Sequence, residues 1–246
     1  MPPIAPSLAD ARLPIYQRLK EDFTRRVAAG EWRPGEAIPA EADLAARHGV
    51  ALGTVRKAID GLVQQGLVER QQGRGTFVRR AEFGSALFRF FRHTGTGGRP
   101  LHPEGRLLER RAGRAGAAAA RGLTVHPGDR VLWLSRLRLV DGEPLIAEDI
   151  ALPLPRFERI ARLPPKAFGE LLYPLYEREA GQVIARATEH IRFGRADGSA
   201  AGRLGVAAGA PVVIVERTAF GYDGTPLEWR RSRGPADRFS YDIEIR

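Results

Sequence analysis

Three short helical patterns follow one another in the first part of the chain, and their order constrains the fold more than any other feature. The first places an apolar residue at every fourth position from Ile15 onwards, which is the spacing of one buried helical stripe. The second covers residues 41–48, and the third has its apolar stripe between Val55 and Leu62. We therefore predict helices over residues 14–29, 41–48 and 52–65.

Two strand-like runs follow the third helical pattern. They cover residues 67–70 and 76–79, and the segment QQGRG between them carries the glycines of a hairpin tip. Three helices followed by a β-hairpin form a winged helix-turn-helix, whose second motif helix enters the major groove of DNA. The composition agrees with this prediction, because 39 basic against 29 acidic residues give a net charge of +10. Such a charge favours an anionic partner, and nucleic acid is the leading candidate.

The third predicted helix has a polar face opposite its apolar stripe, and the hairpin tip is basic. Arginine and lysine on such a face contact phosphates or guanine, while glycines at a wing tip let the backbone approach the minor groove closely. The predicted DNA contacts are Gly53, Thr54, Arg56 and Lys57 on the helix and Arg74, Gly75 and Thr76 at the tip. The alternative is an ordinary solvated face, and the succession of helix, turn, helix and basic wing argues against it.

The second half of the chain has the alternating pattern of an antiparallel α+β domain. Strand patterns fall near residues 105–112, 131–140, 144–152, 183–193, 211–220 and 238–245, and helical patterns near 115–122, 166–179 and 197–204. We predict a DNA-binding domain over 12–79, a linker over 80–84 and a second domain over 85–246. The Gly/Arg-rich stretch at 94–100 is an alternative boundary.

A short internal repeat, Asp-Gly-X-Pro-Leu, occurs after two of the predicted strands, and we interpret both copies as hairpins. A three-residue loop over 141–143 sets Arg136 opposite Glu148, with Arg138 on the same face. A two-residue loop shifts this register by one and breaks the pairing. The three side chains then either converge on a pocket for an anion, which paired guanidinium groups bind well, or form cross-strand ion pairs on a wet sheet face.

The motifs of the first domain resemble the DNA-binding domain of GntR-type bacterial transcription regulators. The matching segments are PIYQRLK (14–20), PG (34–35), PAEADLA (39–45), TVRKA (54–58), GLVER (66–70) and GRGTFV (73–78). The second half resembles the effector-binding UTRA domain of the HutC branch, which has a chorismate lyase-like fold. That resemblance is carried by RLR (136–138), DGEP (141–144), Glu148, PLE (226–228) and DRF (237–239).

The resemblance implies a homodimer that binds a near-palindromic operator and, as a repressor, is released by a small metabolite. It assigns a DNA contact to Arg56 and a minor-groove approach to Gly75. It assigns effector contacts to Arg136, Arg138, Glu148 and Glu228. Phe88, Arg89 and Phe90 follow the linker, and we expect them to line the mouth of the effector pocket, with Arg89 as an effector contact. The alternative for the two phenylalanines is a place in the core.

The chain departs from the family pattern at four places. Ala51 and Leu52 stand where the family commonly has Ser and Arg, and Ala40 stands where it has Ser before the second helix. Two serine helix caps and one base-reading arginine are therefore absent, and each cap is worth about 1 kcal/mol. In the second domain, Leu171 and Gly234 replace a Ser and a Tyr of the family, which argues against an amino-sugar phosphate as the ligand.

Other classes of protein find less support in the sequence. The chain has no cysteine for disulfides or thiolate chemistry, and its five histidines lack the spacing of metal ligands. It has no apolar run of membrane length and no secretory signal pattern, so we expect a cytoplasmic protein without metal or cofactor. Two rival hypotheses stay open, namely an enzyme built on the second domain, with Glu148 or Glu228 as its acid or base, and an architectural DNA binder.

Overall fold

The computed structural model describes residues 13–80 and 104–239. The chain divides into two compact units, one made of Met1–Ala81 with Gly221–Thr225 and the other of Glu82–Phe220 with Pro226–Arg246. The predicted linker lies outside the described residues except for Arg80, and so does Arg89.

The first unit is a three-helix bundle with a small β-hairpin. Helices α1 (Ile15–Ala28), α2 (Glu41–His48) and α3 (Leu52–Gln64) are followed by the antiparallel strands β1 (Val68–Gln71) and β2 (Gly75–Val78). The apolar stripes that predicted the helices form the core, in which Leu19, Phe23, Val27, Val55, Ile59 and Leu62 are buried. The predicted helices and strands of the winged helix-turn-helix are thus confirmed within two residues at each end.

Helix α2 ends with glycine but begins without a side-chain cap. Gly49 adopts a φ of 64°, in the left-handed region where glycine costs least, and this stops the helix. Ala40 before α2 and Ala51 before α3 have the extended backbone of an N-cap residue but no hydroxyl to accept from the first turn. Both helices therefore lack the N-terminal caps whose absence the sequence indicated.

The second unit is built on one six-stranded antiparallel sheet. Its strands are β3 (Glu104–Arg114), β4 (Arg130–Val140), β5 (Glu143–Pro153), β6 (Arg186–Arg195), β7 (Pro211–Phe220) and β8 (Pro226–Pro235), in the order β3-β4-β5-β8-β7-β6. Its helices are α4 (Ala117–Leu123), α5 (Leu154–Arg162), α6 (Tyr173–Ala180) and α7 (Gly198–Leu204). Each half of the unit runs strand, helix, strand, strand, and the two halves meet where β5 pairs with β8.

Helices cover both faces of this sheet. Alternate residues of β4 and β5 pack either with α5 and α6, as Leu134 and Ile150 do, or with α4, as Val131 and Ala151 do. Helix α7 lies on the same face as α4, against the end of β4 that contains Leu137. The predicted antiparallel α+β fold is confirmed, and both Asp-Gly-X-Pro-Leu copies lie in hairpins, β4–β5 and β7–β8.

The predicted loop of the first hairpin is wrong, although the pairing it was meant to produce is present. The turn has only two residues, Asp141 and Gly142, both with positive φ (51° and 80°), so that Val140 pairs with Glu143. A register shift between Arg138 and Leu139 then adds one residue to β5. This irregularity compensates for the shorter loop, and Arg136 lies opposite Glu148 as predicted.

Three other sequence predictions need correction. The helical pattern at 166–179 is a 3₁₀ turn, Pro165–Ala167, followed by the separate helix α6, because Gly169 and its neighbours interrupt the helix. Helix α5 was not predicted, since prolines before and inside its first turn hide its periodicity. Strand β8 was anticipated only through its hairpin. The strand predicted at 238–245 lies almost entirely outside the described residues, and Ala236–Arg238 form a 3₁₀ turn.

Candidate functional site

The exposed face of α3 carries an arginine that is tied to neighbouring elements by ion pairs. Arg56 Nε donates to Glu41 Oε2 at the start of α2 over 3.1 Å, and the Arg56 side chain is 59% exposed. The other oxygen of Glu41 accepts from Arg70 of β1 at 3.1 Å, and Arg70 also donates to Asp60 of α3 at 2.6 Å. Hydrogen bonding to Asp60 and Glu41 raises the pKa of Arg70, against a smaller effect of burial. Glu41 therefore orients Arg56 through contacts that solvent reaches.

The other predicted helix contacts lie around the first turns of α3. Gly53 is exposed, Thr54 is half-buried, and Lys57 is exposed with its ammonium 4.0 Å from the centre of the Tyr16 ring. A cation at this distance from an aromatic face is attracted to it, so α1 helps to place Lys57. The helix presents two cations and an open first turn on one side, as a DNA-reading helix requires.

The hairpin tip between β1 and β2 has the geometry expected of a wing. Gly73 and Gly75 adopt φ values of 72° and 117°, which residues with a side chain rarely adopt. Arg74 between them is exposed, its guanidinium 5.4 Å from the ring of Phe77, and Thr76 follows at the start of β2. The structure thus places the seven predicted DNA contacts on one helix and one turn, and their contact with DNA stays a prediction. Sequence reasoning did not identify Glu41 and Arg70.

The second unit holds a group of charged residues on the sheet face covered by α5 and α6, which we call the charged cluster. Its members are Arg136, Arg138, Glu148, Glu189, Arg217, Glu228 and Arg230. Strand register sets them in rows, with Arg136 opposite Glu148 and then Ser232 in one row. Arg230, Arg217 and Glu189 lie opposite one another in the next row.

Glu148 is the central carboxylate of the charged cluster and is fully buried. Its Oε1 accepts from Arg230 at 2.9 Å, and its Oε2 lies 3.4 Å from Arg138 Nε and 3.7 Å from Arg136 Nη1. Burial alone raises the pKa of a carboxyl, but the charges of Arg230, Arg138 and Arg136 lower that of Glu148 to about 2. Glu148 is therefore ionised at neutral pH and does not act as a proton donor there.

Both oxygens of Glu228 are engaged by protein donors. Arg230 donates to the two oxygens at 3.0 and 2.9 Å, and Tyr173 and Tyr176 donate to them at 3.2 and 2.8 Å. Burial, together with the negative charge of Glu228, raises the pKa of Tyr173 to about 12 and raises that of Tyr176 well above its usual value, so both hydroxyls keep their protons. Glu228 therefore fixes the guanidinium of Arg230 between itself and Glu148.

Arg136 is the least compensated cation of the charged cluster. Its Nη2 donates to the main-chain carbonyls of Gly169 and Glu170 at 2.8 and 3.3 Å, before α6. Gly105 of β3 leaves the room for this guanidinium, because a Cβ at that position would collide with Nη2. Burial lowers the pKa of Arg136 to about 10, and Glu148 offsets only part of that effect. Such a group gains from an added anion.

The structure brings together the four described effector residues that were predicted, Arg136, Arg138, Glu148 and Glu228. Their contact with an effector remains a prediction. Sequence reasoning missed Arg217, Arg230, Tyr173, Tyr176 and Ser232. The internal repeat does not identify Arg217, because Thr218 stands in the second copy where Arg136 stands in the first. Strand alternation could have placed Arg230 and Ser232 on the face of Glu228.

A second ionic group lies on the opposite face of the sheet. Asp149 accepts from Arg203 of α7 at 2.8 and 3.0 Å and from Arg233 of β8 at 2.7 Å. Hydrogen bonds from Arg203 and Arg233 outweigh burial and lower the pKa of Asp149. Arg233 also lies 3.5 Å from Asp197, so the two arginines and two carboxylates pair with one another and fasten α7 to the sheet.

The part of the chain that the structure describes contains no group of three acidic or histidine side chains arranged to hold a metal ion. Within the same residues, none of the helices has the length and apolar composition needed to cross a membrane.

Two protein-family models match the chain. The model for bacterial regulatory proteins of the gntR family matches residues 15–78, and the UTRA domain model matches residues 98–240. The first segment contains helix α3 and the wing, and the second contains the charged cluster.

Individual relatives agree along most of the chain. It is 29% identical to the HTH-type transcriptional repressor NagR of Bacillus subtilis over 93% of both chains. It is 32% identical to the HTH-type transcriptional regulator SmoD of Agrobacterium fabrum, covering 88% of this chain and 89% of that one. The crystal structure of PhnF from Mycobacterium smegmatis is similar with a TM-score of 0.54 and 26% identity, over 95% of this chain and 99% of that chain.

Proposed function

The chain belongs to the GntR family of bacterial transcription regulators and carries a UTRA domain, and we propose that it is a repressor released from its operator by a small anionic metabolite. The observation that carries the anionic part is the charged cluster. Arg136 is completely buried there, and burial lowers its pKa to about 10 because Glu148, 3.7 Å away, offsets only part of that effect. A buried charge that its neighbours compensate only in part is costly, so an anion that binds there is favoured.

The DNA-binding unit supports the other half of the proposal. Arg56 and Lys57 on α3 and Arg74 on the wing provide cations for phosphates and base edges. We propose that the protein acts in the cytoplasm as a homodimer that places two such units on half-sites one helical turn apart. Release then requires that the effector bind the DNA-competent and the released state with different affinities.

The enzyme alternative has little support. The relatives compared above are named as repressors and regulators, and both carboxylates that a reaction would need are bound by arginine. With its pKa near 2, Glu148 is not a general acid at neutral pH.

The test is fluorescence anisotropy of the purified protein on DNA from upstream of its own gene and on scrambled DNA of equal length. We expect preference for the upstream DNA, and loss of binding when the effector is found in a panel of anionic metabolites. Arg136→Ala should still bind the DNA but no longer respond to that metabolite. Equal binding to both DNAs together with indifference to every metabolite contradicts the proposal and favours an architectural role.

A further inference from the structure

The first turn of α3 exposes a large apolar side chain. Leu52, the first residue of this helix, is 43% exposed, although the apolar stripe of the same helix, which begins at Val55 and ends at Leu62, is buried. Single exposed apolar residues are common on protein surfaces and need no partner. Exposure alone therefore assigns no role to Leu52, and the residues around it on the helix decide what it can contact.

Leu52 lies beside Arg56 on the outward side of α3. Residues four apart on a helix are neighbours, with Cβ atoms about 5–6 Å apart, and the Arg56 side chain is itself 59% exposed. Ala51 and Gly53, which precede and follow Leu52 in the chain, are exposed as well. In a helix-turn-helix, the N-terminal residues of the second helix contact base edges in the major groove. Leu52 therefore stands where the proposed interface meets the bases, next to a cation that attracts the duplex.

Gly53, in the same turn, is a glycine that the fold of the described residues does not require. It lies within α3 without a positive φ. A Cβ at this position would meet nothing within 4 Å among the described residues, apart from its chain neighbours and the backbone of its own helix. Alanine would suit the helix better, because glycine is a poor helix former. Glycine does allow another molecule to approach the backbone closely, which favours a partner packed tightly against this turn.

The chemistry of the major groove limits what Leu52 can contact there. Thymine presents a methyl group at C5, which apolar side chains contact, whereas guanine presents two acceptors, and adenine and cytosine present amino groups. A leucine pressed against those polar edges would displace water without replacing its hydrogen bonds, which is unfavourable. Contact between two apolar groups instead removes both of them from water. An exposed leucine at this place therefore matches thymine among the four bases.

We propose that Leu52 recognises a thymine of the operator through its 5-methyl group, and that Gly53 leaves the room for this base edge to reach the helix. The inference rests on the proposed function, since it deepens the account of how α3 reads DNA. It makes Leu52 a specificity-determining residue. Because each protomer of the proposed homodimer contributes one Leu52, the thymine occurs at the same position of both half-sites.

The experiment starts from duplexes that the full chain selects out of a random pool, so that it does not depend on a known operator. Each thymine of the selected site is then replaced in turn by 2′-deoxyuridine, which lacks only the 5-methyl group. Fluorescence anisotropy measures the affinity for each duplex. At one thymine of a half-site, we expect uracil to weaken binding about fourfold, which corresponds to about 0.8 kcal/mol for burial of one such carbon group.

Two variants of α3 show whether Leu52 is the residue that senses this methyl group. Leu52→Ala should bind the thymine and uracil duplexes with equal affinity, because the contact is already absent. Val63→Ala is the matched control, since it truncates another exposed apolar side chain near the end of the same helix, and it should keep the difference between the duplexes. A Leu52→Ala protein that still distinguishes thymine from uracil overturns the assignment, as does an unaltered protein that is indifferent to every uracil.

Gly53→Ala tests the close approach of DNA separately from folding. Alanine should raise the midpoint of thermal unfolding, because it favours the helix and its Cβ has free space among the described residues. The same variant should lose affinity for the selected duplex, because the added methyl group occupies the space that the base edge needs. A Gly53→Ala protein that binds the duplex as tightly as the unaltered protein overturns the placement of DNA against this turn.

The selection also separates failure of this inference from failure of the proposed function. If the selected duplexes share a sequence and Arg56→Ala weakens binding to it, but no effect of uracil depends on Leu52, the thymine contact falls and the proposed function stands. If the selected duplexes share no sequence and bind no more tightly than the starting pool, the protein does not read DNA sequence, and both fall.

Discussion

The DNA-binding unit and the charged cluster use the same pair of chemical groups, guanidinium and carboxylate, in opposite environments. Around Glu41, the arginines are 42% and 59% exposed and exchange their partners with water at little cost. Around Glu148, both the carboxylate and Arg136 are completely buried. Exposed ion pairs contribute less than about 1 kcal/mol, whereas removal of one partner of a buried pair costs about 3–5 kcal/mol. Arg56 can therefore leave its carboxylate for DNA, while the cluster holds a fixed arrangement for a ligand.

The largest expected effect comes from removing the central buried carboxylate. Glu148→Ala leaves the neighbouring arginines facing one another and should lower the free energy of unfolding by about 3–5 kcal/mol. Urea unfolding followed by circular dichroism measures it. Glu109→Ala removes an exposed side chain whose ion-pair partner among the described residues is the exposed Arg111, and should change the value by less than about 1 kcal/mol. Similar losses in the two variants would contradict the distinction between exposed and buried ion pairs.

The free energy of unfolding at acidic pH should also depend on Glu148. Because the folded state lowers the pKa of Glu148 from 4.5 to about 2, its ionisation stabilises the fold above pH 4.5. That stabilisation is lost as the pH falls from 4.5 towards 2. We expect the free energy of unfolding of Glu148→Gln to fall less steeply over this range than that of the unaltered protein. Parallel pH profiles would show that other carboxyls control acid unfolding.

Arg56→Ala tests the exposed network through DNA rather than through stability. If Arg56 reads a base edge, the variant should bind the upstream DNA about 1–3 kcal/mol more weakly while its unfolding changes little. Arg121→Ala, an exposed arginine of α4, serves as the control for loss of one positive charge. Anisotropy titrations at fixed salt measure both, and an unchanged affinity for Arg56→Ala excludes it from the interface.

Restoring the two missing helix caps should have a smaller effect, which is stabilising. Ala40 and Ala51 already have the extended backbone of an N-cap, so serine at either position should stabilise the first unit by about 1 kcal/mol. Ala46→Ser, inside α2 and exposed, is the control and should destabilise slightly. Thermal unfolding distinguishes them, and equal shifts for the three variants would argue against a capping effect.

Glu41→Gln should have the smallest effect on stability, less than about 1 kcal/mol, because its two ion pairs are exposed to solvent. Its effect should appear in DNA binding instead. Removing the carboxylate frees Arg56 and removes one negative charge, which raises the net positive charge of this surface by one. Binding to scrambled DNA should therefore strengthen, and the preference for upstream DNA should decrease. A stability loss comparable to that of Glu148→Ala would contradict the comparison of the two networks.

Local patterns were sufficient for the winged helix-turn-helix. The stripe of Ile59 and Leu62, the stop at Gly49 and the glycines at 73 and 75 each specify a helix face, a helix end or a turn within a few residues. The site on this unit was predictable for the same reason, since its polar residues lie on one helix and one turn.

The charged cluster depended on contacts between distant segments. The sequence predicted Arg136 opposite Glu148 through a hairpin, but the turn has two residues, and a register irregularity in β5 restored the pairing. Arg230 and Arg217 joined the cluster only because β8 pairs with both β5 and β7. No local pattern shows which strands become neighbours in a sheet.

The sequence by itself therefore determined the helices and the hairpin of the first unit, the antiparallel α+β class of the second unit and the family, because these depend on periodicity, turn residues and short motifs. Only the tertiary structure decided that Glu228 is fully engaged, that Arg230 lies between two carboxylates and that Ser232 shares a row with Arg136. The physical reason is that burial, charge balance and hydrogen-bond satisfaction are properties of side chains from several strands together. These three properties are set only when the strands and helices pack together around the core, and no single segment of the chain determines them.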